Sequence, residues 1–120
     1  MAELIQVYSY SSCSTCRKAL KWLADNSIKY QLIDIVKSPP SVSMISDAFQ
    51  RIEKRKLIFN TNGLSYRSLG AKVINSMSDQ DAIKALASDG RLIKRPFLVH
   101  PKGEILLGFK PDQWSDLLLK

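Results

Sequence analysis

At 120 residues the chain is long enough for one domain with a real core and too short for two. With 45% hydrophobic and 24% charged residues, no apolar run near the roughly 18 residues a membrane span needs, and no basic-then-apolar N-terminus, neither a transmembrane span nor a signal peptide is indicated, and cytoplasmic residence is expected. The net charge of +7 points to anionic substrates or an acidic protein partner rather than to direct nucleic-acid binding, because the basic residues are spread through the chain. Their densest run, Arg51-Ile52-Glu53-Lys54-Arg55-Lys56, has no interleaved aromatics and reads as a solvated helix end.

The first element is a strand over Ile5-Gln6-Val7-Tyr8-Ser9-Tyr10, which alternates apolar and polar positions. Cys13-Ser14-Thr15-Cys16 follows, then Arg17 and an amphipathic stretch with Ala19, Leu20, Trp22 and Leu23. A CxxC in a strand-to-helix loop is the thioredoxin-like placement. The first N–H groups of a helix have no intrahelical partner and its dipole favours negative charge, so a thiolate is stabilised there, and Arg17 adds a charge that does not titrate. Cys13, at the open end of the helix, is the expected nucleophile; Cys16, one turn in, is the expected resolving thiol. Two cysteines could instead be buried small hydrophobes, half of a metal site or a structural disulfide. With only two cysteines and the single His100 far away in sequence, a metal site within one chain is not expected. A structural disulfide gains little from so short a loop.

Tyr30 to Val36 reads as a second strand, closed by Ser38-Pro39-Pro40. A helical middle spans about 41–88. It begins with a stripe of Val42, Ile45, Phe49 and Ile52 after Ser41, passes a turn at Asn62-Gly63, and ends in a helix capped by Ser78 and Asp81 that stops at Gly90. Phe97 to His100 and Ile105 to Phe109, joined by Pro101-Lys102-Gly103, form a hairpin. Pro111 opens a last helix with Trp114, Leu117 and Leu118 on its face. The order β-α-β, helical middle, β-β-α describes an α/β thioredoxin-like fold with a mixed sheet. Arg95-Pro96, just before the hairpin, is either a cis bond beside the CxxC loop or a simple strand-start proline. His100, Trp22 and Trp114 read as packing residues.

Cys13-Ser14-Thr15-Cys16-Arg17-Lys18-Ala19, with Phe59-Asn60-Thr61-Asn62-Gly63, Tyr66-Arg67-Ser68-Leu69, the run Ala87 to Pro96 and Gly108-Phe109-Lys110-Pro111-Asp112-Gln113, resembles the arsenate reductase (ArsC)/Spx family, and in particular its YusI-type ArsC-like members. The likeness covers essentially the whole length. It implies a single domain, 1–120, with a thioredoxin-like core and a helical insertion, with Cys13 reactive and Arg95 facing it. The glutaredoxin-coupled arsenate reductases of the family hold their oxyanion with three arginines around one cysteine. This chain matches Arg95, has Asn60 at the first position and falls near Gly108 at the third, with Lys110 or Arg67 as candidate substitutes. Two missing guanidinium partners, each worth about 1.5–3 kcal/mol, disfavour efficient arsenate capture. The second thiol makes an intramolecular disulfide the natural product, a pattern shared with Spx-type regulators, which bind the RNA polymerase α subunit. The region Ser41 to Asn62 lacks the glycine that this contact uses.

The resulting expectation is a cytoplasmic thiol–disulfide oxidoreductase, a monomer with no bound cofactor or metal. Glutathione or a thioredoxin/glutaredoxin system would supply electrons, and a small thiol or an oxidised protein would be the substrate. Cys13, Cys16 and Arg95 would carry the reaction, and Ser12, Thr15, Arg17, Asn60 and Pro96 would shape the substrate site. The alternatives are an Spx-like redox sensor that binds the RNA polymerase α subunit and a glutathione/glutaredoxin-dependent arsenate reductase.

Overall fold

The structure, a computed structural model, describes residues 4–120. The chain folds as two compact units: one runs to Asp34 and resumes from Arg95 to Lys120, and the other is Ile35–Lys94. The first unit holds a four-stranded sheet in the order β2-β1-β3-β4. β1 (Ile5–Ser9) pairs in parallel with β2 (Tyr30–Asp34) and antiparallel with β3 (Phe97–Val99), which pairs antiparallel with β4 (Ile105–Leu107). The parallel pair requires a crossover, which α1 (Ser14–Asp25) supplies.

The period-two alternation of β1 decides what covers the sheet. Ile5 and Val7 point with Leu98 into a core completed by Ala19 and Leu23 of α1 and by Trp114 of the C-terminal helix, Pro111–Leu118. Trp114 is fully buried, its indole N–H donates to the Gly108 carbonyl at 3.2 Å, and it meets the rings of Trp22 and Phe109 edge to face. The tryptophans are therefore packing residues, as their helical spacing implied. His100 closes the hairpin: its Nδ1 accepts the Lys102 N–H at 3.1 Å and lies 3.7 Å from the Glu104 carboxylate.

The second unit contains α2 (Val42–Arg51), α3 (Leu64–Leu69), α4 (Ala71–Ser76) and α5 (Asp79–Ser88) with two short 3-10 turns, Arg55–Ile58 and Gly90–Leu92. Ser41 and Ser78 cap α2 and α5, accepting the Met44 and Asp81 N–H groups at 3.2 and 3.1 Å. The expected stripe on α2 is shorter than its periodicity suggested. Ile45 and Ala48 are buried, Phe49 and Ile52 half-buried, and Val42 is 53% exposed, because the first residue of the helix lies beyond the packed part of its face. The second strand likewise ends at Asp34, two residues before the expected Val36, where the chain turns. Among the described residues no helix is long and apolar enough to cross a membrane.

The basic run is a solvated helix end at Arg51, with Lys54 and Lys56 exposed beyond it, and one member departs from that role. Arg55 turns inward and donates to the Ile74, Asn75 and Met77 carbonyls at 3.0, 3.4 and 2.8 Å and to the Asp79 carboxylate at 2.9 Å. One guanidinium fork thus satisfies the carbonyl end of α4 and the start of α5 together. Arg55→Met should lower stability by about 2–3 kcal/mol in denaturant unfolding, and Arg55→Lys should recover less than half of that loss, since a single ammonium does not span these acceptors.

Candidate active site

β1 ends at Ser9 and α1 begins at Ser14, so Cys13 lies in the loop between them as the N-cap of α1. The Cys13 N–H donates to the Tyr10 carbonyl at 3.1 Å, and the Cys13 carbonyl accepts the Arg17 N–H at 3.1 Å, which fixes the turn on both sides. Cys13 has extended backbone, and its Sγ accepts the Cys16 N–H at 3.2 Å. Sulfur here does what a serine or aspartate oxygen does at an ordinary cap. No acid occupies the first turn of α1, so a Cys13 thiolate meets the helix start without a competing carboxylate from that turn.

The two thiols have opposite environments. Cys13 is half-buried and Cys16 is 1% exposed. Partial burial of Cys13 disfavours its thiolate. Hydrogen bonds from the Cys16 side chain and backbone, followed by the hydrogen bond and charge of Arg95, outweigh that burial and bring its pKa below the ordinary value of 9.0. Cys16 is pushed up to about 11, first by burial and then by its hydrogen bond to Cys13; Ser9 and the Tyr10 backbone oppose this rise, and the Cys13 charge adds to it. Cys13 is thus the more readily ionised sulfur of the two, while Cys16 keeps its proton at neutral pH and donates it to the first.

Arg95 is the cation of this site. It precedes the cis Arg95–Pro96 bond, and its guanidinium lies 5.2 Å from the centre of the Tyr10 ring. Arg17, expected to share this task, donates instead to the Ser11 carbonyl at 2.8 Å and is exposed. A side chain at the fourth helical position points back along α1, and the loop carbonyl is the acceptor within its reach. Arg17 therefore braces the loop. Ser12 and Thr15 are exposed on either side of Cys13, and Pro96 is buried with its carbonyl accepting the Gly108 N–H at 2.9 Å. Asn60 belongs to the second unit, where its N–H donates to the Leu92 carbonyl at 2.7 Å. Sequence reasoning missed the parts played by Ser9 and Tyr10. Ser9 had a readable signal, since it falls in phase with Ile5 and Val7 on the buried face of β1; nothing in the spacing marked Tyr10 as the ring beneath Arg95.

The family pattern of ArsC matches residues 8–117. The chain belongs to the ArsC family. It is 38% identical over 112 residues to the protein YusI of Bacillus subtilis (strain 168), covering 91% of this chain and 93% of that protein. A solved ArsC-like structure, described as a possible arsenate reductase from Streptococcus mutans UA159, is 42% identical with a TM-score of 0.86, covering 98% of both chains. The global transcriptional regulator Spx of Lactiplantibacillus plantarum is 26% identical over 111 residues, covering 92% of this chain and 83% of that one. The chain is thus similar both to a structure described as a possible arsenate reductase and to a global transcriptional regulator, and the α/β thioredoxin-like architecture is common to it and its structural neighbours.

Proposed function

We propose that this ArsC-family protein is a cytoplasmic thiol–disulfide oxidoreductase. The observation that carries the reading is the asymmetry of the CxxC pair: a half-buried Cys13 at a helix start, with Arg95 and the Cys16 thiol both donating to it, beside a buried Cys16 that keeps its proton. The Cys13 thiolate attacks one sulfur of a substrate disulfide and displaces the other half as a thiolate. Cys16 then attacks the Cys13 sulfur of the mixed disulfide, forms the Cys13–Cys16 bond and releases the second substrate thiol. Arg95, steered by the Tyr10 ring, stabilises the thiolate and gives an anionic substrate a contact. Ser12, Thr15 and Pro96 border the approach. Glutathione or a thioredoxin/glutaredoxin system returns the protein to its dithiol form.

The test is a trap. Incubated with oxidised glutathione, Cys16→Ser should accumulate a stable mixed disulfide on Cys13, read as one glutathione of added mass, whereas Cys13→Ser should accumulate essentially none. In the wild type the pair should equilibrate with a defined potential between about −270 and −180 mV. Absence of both the adduct and the intramolecular disulfide would remove the oxidoreductase reading.

A second reading is favoured by the similarity to Spx: a redox-responsive regulator that binds the RNA polymerase α subunit differently in its dithiol and disulfide states. Equal capture of the purified α subunit by both forms, or by neither, would remove it. Arsenate reduction with glutathione and glutaredoxin is the third; Arg95 beside Cys13 supports it, and arsenite formation no faster than the glutathione background would exclude it.

A further inference from the structure

Ser9, at 5% exposed, is the only buried aliphatic hydroxyl, amide or charged side chain among the described residues. A buried hydroxyl is costly unless bonded, and this one bonds the sulfur of Cys16. A neutral thiol is a weak acceptor, so that bond returns little while Cys16 holds its proton; a thiolate is a strong one. The Tyr10 backbone N–H aims at the same sulfur. Both donors are rigidly held. Ser9 is the last residue of β1, in register with Asp34 of β2, and the Tyr10 carbonyl is fixed by the Cys13 N–H at 3.1 Å.

We infer that Ser9 and the Tyr10 amide form a two-donor pocket that holds Cys16 as a thiolate while it resolves the mixed disulfide on Cys13. This rests on the thiol–disulfide exchange reading and assigns Ser9 a part in its second step. Once Cys13 is bonded to a substrate sulfur it is no longer an anion, so its charge and its claim on the Cys16 proton both disappear. What remains around Cys16 is burial, opposed by the Ser9 hydroxyl and the Tyr10 N–H. The Cys16 proton passes to the substrate thiolate released in the first step or to water. The thiolate attacks the Cys13 Sγ, the Cys13–substrate S–S bond breaks, and the leaving thiolate takes a proton from water. The protein dithiol has then lost two electrons, and one substrate disulfide has become two thiols. Donors that matter only when charge appears on sulfur lower the barrier to this step rather than stabilise the resting state.

The experiment uses the reduced full chain and an aromatic disulfide that releases one coloured thiolate at each step, followed by stopped flow. In Ser9→Ala the first phase, attack by Cys13, should keep its rate within about twofold. The second phase should slow at least about tenfold, the size expected for one lost hydrogen bond to a charged group, and its pH dependence should move upward. Ser9→Thr, which keeps the hydroxyl, should restore it. The wild type alone supplies a second measurement: the second phase should titrate with a midpoint clearly below the midpoint measured for Cys16 alkylation in the resting dithiol protein. A wild-type midpoint at or above that value, a second phase unchanged in Ser9→Ala, or equal slowing of both phases would overturn the inference while leaving exchange intact. A wild type with no first phase would instead overturn the exchange reading itself, and this inference with it.

Discussion

At pH 7, iodoacetamide should modify Cys13 at least about a hundredfold faster than Cys16, giving a single adduct in the reduced protein long before the second appears. The argument is the thiolate population, since alkylation follows the ionised form. Cys13 lies below 9.0 and Cys16 at about 11, so their thiolate fractions differ by two decades or more, and burial of Cys16 adds to the gap. Peptide mass spectrometry over time assigns each adduct. Arg95→Met should move the midpoint of the Cys13 rate against pH upward, because it removes both a hydrogen bond and a charge from the thiolate. Equal rates at the two cysteines, or a Cys13 midpoint indifferent to Arg95, would contradict the site as described. The same shifts govern the pH dependence of stability in the reduced form. Cys13, depressed on folding, adds stability that is fully present above 9.0 and lost as pH falls through its folded value. Cys16, raised on folding, adds stability that is fully present below 9.0 and lost as pH rises through about 11. The fall in Tm over that alkaline window should therefore be shallower in Cys16→Ala than in the reduced wild type.

Gly90→Ala should destabilise the protein by at least about 3 kcal/mol, read as a lowered midpoint in denaturant unfolding. Gly90 is buried at the start of its 3-10 turn, and a Cβ there would run into the Ile35 carbonyl and lie 3.2 Å from the Val36 nitrogen. Every atom in the way is backbone, so no rotamer change relieves the overlap. The turn is also pinned from its own side, with the Asp89 carboxylate accepting the Arg91 N–H at 3.0 Å and the Gly90 carbonyl accepting the Ile93 N–H at 3.2 Å. Gly63→Ala is the matched control. Its Cβ would meet the Asn60 Nδ2 at 2.7 Å, the end of a side chain that can swing aside, and the loss there should stay within about 1 kcal/mol. A Gly90→Ala protein no weaker than Gly63→Ala would refute the close approach.

What the sequence disclosed depended on whether local chemistry was sufficient. The strand before Cys13, the helix after it, the serine caps of α2 and α5 and the hairpin at Pro101-Lys102-Gly103 follow from alternation, capping residues and turn residues that act within a few positions. The cation of the site was a harder problem, since two arginines flank the motif in space or in sequence. Proximity along the chain favoured Arg17, but helix geometry turns it to the Ser11 carbonyl, and β3 brings Arg95 from the other end of the chain. Arg55 shows the same blindness: a basic run carries no local sign that one member is turned inward to bind three carbonyls. Gly90 against Ile35 is likewise a meeting of residues far apart in sequence, and one sequence does not reveal it.

The pairing of β1 with β3 sets Tyr8 opposite Phe97, with the whole of Ile35–Lys94 lying between them in the chain. Pairing over such a separation is slow, because loop-closure entropy is spent before any contact rewards it. Arg95 stands at the threshold of β3, so Cys13 gains its cation only when that long-range pairing is complete. A nascent chain emerging from the ribosome, or one unfolded by stress, carries two unremarkable thiols at the position of the motif. The Arg95 share of the stabilisation of the Cys13 thiolate is thereby confined to molecules in which β3 has paired, whereas the share from Cys16 is local to the start of α1.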